Sequence, residues 1–255
     1  MTAETLAPLA FHEGPQGLRL AHRFLAGAEP ALVFLPGYMS DMAGSKAGAV
    51  LAHAAAQGRA CLLLDYSGCG RSDGDFAAGT LSRWRDEVVD LLAAKGIARA
   101  VLCGSSMGGW LMLLVARAVP DRIAALVGVA AAPDFTDWGF GDAQKAELAA
   151  GRTIFEDNPY SPEPTPTHAA FWRDGEAQRQ LEAPIPFDGP VRLLHGQADP
   201  DVPWEVSLRL AAALRSADVQ VHLIKDGDHR LSRGADIALL LRTLDALVET
   251  LSGGG

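Results

Sequence analysis

The chain has 255 residues, 49% hydrophobic and 21% charged, which is typical of one globular α/β domain. Its net charge of −9 at pH 7 argues against a nucleic-acid or anionic-membrane partner, because both select basic surfaces. The three cysteines are odd in number and lack a CxxC spacing, which argues against a disulfide framework and a structural zinc site.

The amino-terminal segment predicts no targeting sequence. Residues 1–8 contain neither a basic region nor a long apolar core, so we expect neither a signal peptide nor a transit peptide. No apolar stretch reaches the roughly 18 residues that a membrane span requires. We therefore expect a cytoplasmic protein without a membrane span, and the sequence leaves its oligomeric state open.

The first half of the chain alternates between short apolar runs and amphipathic stretches. The runs predict strands, and the stretches with helical periodicity predict helices between them. The predicted strands are 9–13 and 18–24, which form a hairpin, then 31–35, 60–65, 100–103 and 124–130. The predicted helices are 46–57, one that Thr80 or Ser82 caps and that ends at Lys95, and one that ends near Val119.

This pattern breaks between residues 133 and 190, a stretch rich in proline and aromatic residues. Helices are expected there only in 142–152 and 167–181. The alternation resumes with strands 191–195 and 219–224 and helices 204–215 and 235–251. We therefore predict an α/β fold with a mostly parallel central sheet and helices on both faces. Residues 1–132 and 191–255 would form its core, and 133–190 a lid insertion.

The most informative motif is the segment 104–108, whose sequence GSSMG matches the G-x-S-x-G pattern of a nucleophile elbow. A predicted strand precedes it and a predicted helix follows it, as such a turn requires. Gly104 and Gly108 fit because a Cβ at either position would collide across the turn. Chance alone would supply about 0.13 matches in a chain of this composition, so Ser106 needs partners. Cys103 is a weaker candidate nucleophile, because an alternating strand would bury it.

A serine nucleophile needs a base and an acid that orients this base. After such an elbow the acid comes first and the histidine second, each on a loop that follows a strand. Asp199 follows the predicted strand 191–195 and His229 follows 219–224, so they are the predicted acid and base. Asp201 is the alternative acid, and Asp228 is expected to be a solvated loop charge.

The other histidines are weaker candidates for the base. His168 lies in the predicted lid, but it precedes the acid in the chain. The remaining ones fall on strands, on a helix or at a strand end, where packing or turn roles are expected: His12, His22, His53, His195 and His222.

These residues predict acyl transfer. His229 would take the proton of Ser106 during attack on an acyl carbonyl and hand it to the leaving group. Asp199 would hold the imidazole in the required tautomer, and water would then hydrolyse the acyl-enzyme. We expect neither a cofactor nor a metal ion in this chemistry.

The developing oxyanion would need two backbone N–H donors. One usually follows the nucleophile and the other follows an early strand, which predicts the amides of Met107 and Tyr38. Gly37 would allow the backbone to approach closely, and Pro36 has no N–H to donate.

Five segments resemble one known family. They are 34–42 (FLPGYMSDM), 65–68 (DYSG), 104–113 (GSSMGGWLML), 192–196 (RLLHG) and 228–230 (DHR). They are similar to the mitochondrial depalmitoylases and acyl-glucuronide esterases of the α/β-hydrolase superfamily, from about residue 30 to the C terminus. The resemblance implies the α/β-hydrolase fold and the triad Ser106, Asp199 and His229. It also implies S-acyl cysteine thioesters, including S-acylated proteins, and acyl glucuronides as substrates.

We expect the chain to differ from these relatives in lacking a transit peptide and in the sequence of its predicted lid. We therefore predict a serine esterase or thioesterase whose acyl group and leaving group are open. The aromatic residues Trp138, Phe140, Phe171 and Trp172 favour an apolar acyl group, unless they only pack the lid onto the core. The alternatives are an acyltransferase that uses the same acyl-enzyme and a hydrolase-like receptor with little turnover.

Overall fold

An eight-stranded sheet organises the computed structural model, which describes residues 3–158 and 162–253. The strands, in chain order, are β1 (Leu9–Glu13), β2 (Arg19–Leu25), β3 (Ala28–Leu35), β4 (Arg59–Leu64), β5 (Ala100–Ser105), β6 (Ile123–Val129), β7 (Ile154–Glu156), β8 (Thr165–Thr167), β9 (Val191–Gly196) and β10 (Val219–Ile224). Eight of them form one sheet in the order β1-β2-β4-β3-β5-β6-β9-β10, and β7 and β8 pair separately. From β4 to β10 neighbouring strands are parallel, whereas β1–β2 and β2–β4 are antiparallel. The predicted mostly parallel sheet is confirmed.

Helices precede, connect and follow these strands. They are α1 (Ala3–Leu6), α2 (Ser45–Ala56), α3 (Leu81–Ala94), α4 (Met107–Ala118), α5 (Phe135–Trp138), α6 (Asp142–Ala149), α7 (Ala169–Ala177), α8 (Glu205–Ala213) and α9 (Gly234–Gly253). Of the two predicted caps for α3, the structure uses Thr80, whose hydroxyl oxygen accepts a hydrogen bond from the Arg83 amide at 3.2 Å. Within the described residues, no helix is long and apolar enough to cross a membrane.

The central strands bury both of their faces. Val33 and Leu102 pair in register between β3 and β5 and belong to the core that also contains α3 and α4. Their neighbours Leu32 and Val101 also pair, and they point into the core that contains α2 and α9. Because each face has its own helices, these strands read as continuous apolar runs rather than as alternating patterns.

Residues 133–190 contribute no described strand to the large sheet. They contain α5, α6, α7 and the pair β7–β8, and the predicted helices 142–152 and 167–181 are both shorter than expected. The elements α5, β7 and β8 were not predicted, because three or four residues are too few to establish a periodicity. Residues 1–2, 159–161 and 254–255 lie outside the described part, and the role of the insertion as a lid stays a prediction.

The insertion is tied to the core by hydrogen bonds. The Tyr38 hydroxyl donates to the carbonyl oxygen of Pro166 in β8 at 2.9 Å, and the Trp110 indole N–H donates to Gln178 at 3.2 Å. The Ser82 hydroxyl also lies 2.6 Å from a carboxylate oxygen of Asp174. These contacts hold the insertion against the loop after β3 and against the helices α3 and α4.

Four of those loops meet at one edge of the sheet. They follow the carboxyl ends of β3, β5, β9 and β10 and contain Tyr38, Ser106, Asp199 and His229, respectively. Parallel strands in one sheet end at the same edge, which is where α/β proteins place their sites.

Candidate active site

The turn between β5 and α4 has the conformation of a nucleophile elbow. Ser106 has φ +54° and ψ −121°, a backbone strain that costs about 1–3 kcal/mol and that a rigid surrounding must hold. A Cβ at Gly104 would overlap the Gly108 carbonyl, and one at Gly108 would overlap the Leu35 carbonyl. The predicted collision across the turn is confirmed for Gly104, whereas at Gly108 a side chain is excluded by the end of β3 rather than by the turn itself. The Ser106 amide donates to Val129 of β6 at 2.9 Å, which fixes the turn.

Ser106, His229 and Asp199 form a continuous series of hydrogen bonds. His229 Nε2 lies 3.1 Å from Ser106 Oγ, and His229 Nδ1 lies 2.9 Å from Asp199 Oδ2. The Asp199 side chain is fully buried, whereas that of His229 is 16% exposed. Because the carboxylate can only accept, Nδ1–H donates to it, and Nε2 is left to accept the Ser106 hydroxyl proton.

Asp199 is held as a carboxylate by its surroundings. Burial raises its pKa, but hydrogen bonds with His195 and His229 and the charge of His229 outweigh burial and leave the pKa below its usual range. Its Oδ1 accepts the backbone N–H groups of Asp201 and Val202 at 2.8 and 2.9 Å. Asp201, the alternative acid, is exposed and serves Asp199 through its amide.

One set of potential metal ligands converges within the described residues. Single ligand atoms of Asp199, Asp201 and His229 lie within 4.8 Å of one another. Two of these residues are already joined as an imidazole and its orienting carboxylate, and the third is an exposed acid. Such hydrogen bonds account for the cluster as part of the serine site, so it does not require a metal.

The loop after β3 passes close to Ser106. A Cβ at Gly37 would lie 3.3 Å from Ser106 Cβ, so only glycine lets the backbone run here without displacing a neighbour. The next residue, Tyr38, lines the same cavity as Met107. Among the described residues, neither of their amide N–H groups has a hydrogen-bond acceptor. Two backbone donors thus remain available beside the Ser106 hydroxyl.

The competing candidates have other roles. Cys103 is fully buried, and burial raises the pKa of its thiol to about 12, which removes the thiolate at neutral pH. His168 contacts Thr153 at 3.0 Å inside the insertion. The Asp228 carboxylate accepts the Leu231 amide at 2.9 Å and so closes the turn that contains His229.

A cavity of about 530 Å³ opens beside Ser106 and His229. One part of its wall is polar, with side chains that include Ser40, Asp41, Ser45, Lys46, Arg230 and Ser232. Another part is apolar and includes Ala132, Phe135, Trp138, Phe140 and Val202. The cavity therefore offers both apolar and polar surface to a substrate.

Two of the four predicted lid aromatics line this cavity, namely Trp138 and Phe140. The structure does not bring Phe171 and Trp172 into its wall. Phe171 is 1% exposed and packs its ring against Tyr38, Trp84 and Phe135. Trp172 donates its indole N–H to the Thr136 carbonyl at 3.1 Å and packs on Phe140, Leu148 and Ile154.

Sequence reasoning did not assign Phe135 to the pocket. It lies three residues before Trp138 in α5, a spacing that places two side chains on the same face of a helix. That spacing is the available signal, but α5 has four residues and was not predicted.

Comparison with known proteins agrees with this architecture. A family model described as the alpha/beta hydrolase fold matches residues 30–152, which include the elbow. The protein is an α/β hydrolase.

Comparison with individual relatives identifies the family within this class. Human "Palmitoyl-protein thioesterase ABHD10, mitochondrial" is 39% identical over 248 residues, which cover 96% of this chain and 81% of the human one. The structure of mouse alpha/beta hydrolase domain-containing protein 10 superposes with a TM-score of 0.89 at 38% identity, covering 95% of this chain and 99% of the mouse one. A structure from Agrobacterium vitis S4 gives 0.88 at 38% identity, with 94% and 99% covered. The chain belongs to the ABHD10 family, and the resemblance predicted from its motifs is confirmed.

Proposed function

We propose that the protein is a serine hydrolase that cleaves carboxylic thioesters or esters through an acyl-Ser106 intermediate. The observation that carries this proposal is the unbroken series from Ser106 Oγ to His229 Nε2 and from His229 Nδ1 to Asp199 Oδ2, at 3.1 and 2.9 Å. The first distance lies within the range that proton transfer to a general base requires, and the second is that of a hydrogen bond that orients this base.

The reaction then has two halves. His229 Nε2 takes the hydroxyl proton as Ser106 Oγ bonds to the acyl carbon, and the same proton goes to the departing thiol or alcohol as its bond breaks. In the second half His229 takes a proton from water, the resulting hydroxide attacks the acyl carbon, and Ser106 Oγ leaves with that proton. Asp199 stabilises the imidazolium in both halves.

The amides of Tyr38 and Met107 are the proposed oxyanion donors. Both residues line the cavity that contains Ser106, and neither amide has another acceptor in the described part of the chain, which supports this assignment. A donor of this kind typically contributes about 10²- to 10³-fold to kcat, because it stabilises the charge that develops only in the transition state.

The apolar wall supports an apolar acyl group. Phe135, Trp138 and Phe140 present aromatic surface to a cavity whose 530 Å³ lies within the usual range for small-molecule sites. The human and mouse relatives are named palmitoyl-protein thioesterases. We therefore propose S-acyl thioesters, including S-acylated cysteines of proteins, as the first substrate class to test, with acyl glucuronides as the second.

A substrate panel tests the proposed function directly. Initial rates would be measured for S-acyl-N-acetylcysteamine thioesters of increasing chain length, p-nitrophenyl esters and acyl glucuronides, with the Ser106→Ala variant as the blank. We expect Ser106-dependent release of the thiol or alcohol from at least the thioesters. Added alcohols or thiols that capture the acyl group in place of water would instead indicate an acyltransferase. Tight binding without turnover on the whole panel would sink the hydrolase proposal and favour a receptor.

Two tryptophans of the insertion offer a matched test of the proposed role of the apolar wall, which is to bind the acyl group. Trp138 lines the cavity and donates its indole N–H to Pro133 at 2.8 Å, whereas Trp172 makes the same kind of bond outside the cavity wall. We expect Trp138→Ala to lower kcat/KM for long-chain thioesters about tenfold relative to short-chain ones, which corresponds to part of the burial energy of a large apolar side chain.

Trp172→Ala is the control for this change. It should lower the melting temperature without altering the ratio of kcat/KM between long and short acyl chains. Equal changes of that ratio in both variants would contradict the proposal that Trp138 binds the acyl group.

A further inference from the structure

A second histidine contacts the proposed triad acid. His195 lies in β9 and is fully buried, and its Nε2 is 3.2 Å from Oδ2 of Asp199, the same oxygen that His229 contacts. Nε2 also lies 3.0 Å from the Val202 carbonyl oxygen. On the other side of the ring, Nδ1 lies 2.7 Å from the hydroxyl of Ser207, a buried residue of α8. His195 therefore has specific polar partners at both ring nitrogens, in addition to the packing or turn role that its position in the chain predicts.

The partners of His195 determine its tautomer. Both groups facing Nε2, the Val202 carbonyl and the Asp199 carboxylate, are acceptors, so the proton must lie on Nε2. Nδ1 of the neutral ring is then an acceptor, and the Ser207 hydroxyl is the donor that satisfies it. With the proton on Nδ1 instead, the Nε2 lone pair would face two acceptors at about 3 Å.

The Val202 backbone and the His195 ring surround the acid. The Val202 amide donates to Asp199 Oδ1, while the Val202 carbonyl accepts from His195, whose Nε2–H also faces Asp199 Oδ2. The carboxylate is thus held at both oxygens, and its rotation away from His229 would break contacts at each.

We propose that His195, whose Nε2 proton is fixed by the acceptors that face it and whose Nδ1 is satisfied by the Ser207 hydroxyl, is a positioning residue that holds Asp199 in the orientation His229 needs. His195 touches neither the cavity nor the proposed reacting atoms, since it is absent from the cavity wall and its described contacts are Ser207, Val202 and Asp199. This inference rests on the proposed function and adds a residue to it. The chain of contacts runs from Ser207 through His195, Asp199 and His229 to Ser106.

Three substitutions of His195 distinguish a role as hydrogen-bond donor to Asp199 from a role in packing alone. His195→Phe keeps the ring volume and removes both nitrogens. In His195→Gln the side-chain amide nitrogen reaches the former position of Nε2, whereas in His195→Asn the shorter amide reaches only that of Nδ1. His22→Phe is the matched control, because His22 is also a buried histidine (1% exposed) but lies on β2.

The expected kinetic result is a fall in kcat with KM unchanged. His195→Phe should lower kcat for a Ser106-dependent substrate about 10- to 100-fold, the scale of a small misplacement of a catalytic group. His195→Gln should recover most of this loss, and His195→Asn should not. His22→Phe should change the melting temperature alone.

The pH dependence of kcat/KM adds a measurement that would not change if His195 had only a packing role. Without the contact from His195, Asp199 Oδ2 is less well held against His229 Nδ1, and a displaced carboxylate stabilises the imidazolium of His229 less. The acid limb of kcat/KM should therefore shift to lower pH in His195→Phe and return toward its wild-type position in His195→Gln. A packing role would lower the rate equally at every pH.

Ser207→Ala covers the case in which His195→Phe does not fold. It removes only a hydroxyl, and we expect a folded protein with lower kcat and the same displacement of the acid limb. The proposal would be overturned if folded His195→Phe kept the wild-type kcat and the wild-type position of the acid limb. If His195→Phe does not fold, the same result in folded Ser207→Ala would overturn it. Equal losses in His195→Gln and His195→Asn would do the same. Activity that survives Ser106→Ala would instead overturn the proposed function, so the two failures are distinguishable.

Discussion

Replacement of Ser106 by alanine is expected to lower kcat about 10⁴- to 10⁶-fold and to abolish covalent labelling by a fluorophosphonate probe. The reason is that Ser106 Oγ is the atom next to His229 Nε2, at 3.1 Å, and alanine leaves no atom there to form the acyl-enzyme. Alanine differs from serine only by this oxygen, so the strained turn at φ +54° should survive. The residual rate would come from substrate binding and the oxyanion donors.

Labelling followed by intact-mass measurement checks this result. The neighbouring serine provides the control, because Ser105 also lines the cavity but has no hydrogen bond to His229. Ser105→Ala should still gain the mass of one phosphonyl group. A labelled Ser106→Ala protein, or an unlabelled wild-type protein, would contradict the serine mechanism.

Asp199→Asn is expected to lower kcat about 10⁴-fold near neutral pH. The amides of Asp201 and Val202 both donate to Oδ1, so the amide oxygen of asparagine will occupy that position. Its NH₂ group then takes the place of Oδ2 and faces His229 Nδ1. To avoid two opposed donors, His229 moves its proton to Nε2, where it can no longer accept the proton of Ser106.

Asp201→Asn is the matched control for this substitution. Asp201 serves Asp199 through its backbone N–H, which the substitution retains, so most of kcat should remain. Because the pKa of Asp199 lies below its usual range, the carboxylate is ionised at neutral and mildly acidic pH, and the defect should persist across that range. Steady-state kinetics on variants with wild-type melting curves measure both effects. A larger loss in Asp201→Asn than in Asp199→Asn would assign the acid to Asp201.

Most of the architecture could be predicted because it depends on local patterns. Strands β3, β4, β5, β6 and β9 are buried on both faces, so their apolar runs mark them within a few residues of their observed ends. The elbow could be recognised from its five-residue pattern, although the collision that excludes a side chain at Gly108 is with Leu35 of the distant strand β3. Asp199 and His229 could be proposed from chain order, because parallel strands bring successive loops to one edge.

The remaining features depend on packing between distant segments. Phe171 and Trp172 are adjacent aromatic residues of one helix, yet one packs in the central aromatic cluster and the other beside Phe140 and Leu148, and neither lines the cavity. No sequence pattern distinguishes them from Trp138. The role of His195 depends likewise on Ser207, twelve residues away, which α8 brings against the ring.

Tyr38 connects the insertion to the loop after β3, two segments whose sequences could otherwise change independently. Its side chain bonds to β8 of the insertion, while its amide is one of the two proposed oxyanion donors. The acceptor in β8 is the main-chain carbonyl of Pro166, so this link does not depend on the identity of any side chain in the insertion. Side chains of the insertion can therefore change over evolution, or be exchanged between homologues, and alter the acyl pocket while the anchor of the oxyanion loop stays in place. Shortening the insertion before β8 would remove this anchor, which makes its length a stricter constraint than its composition.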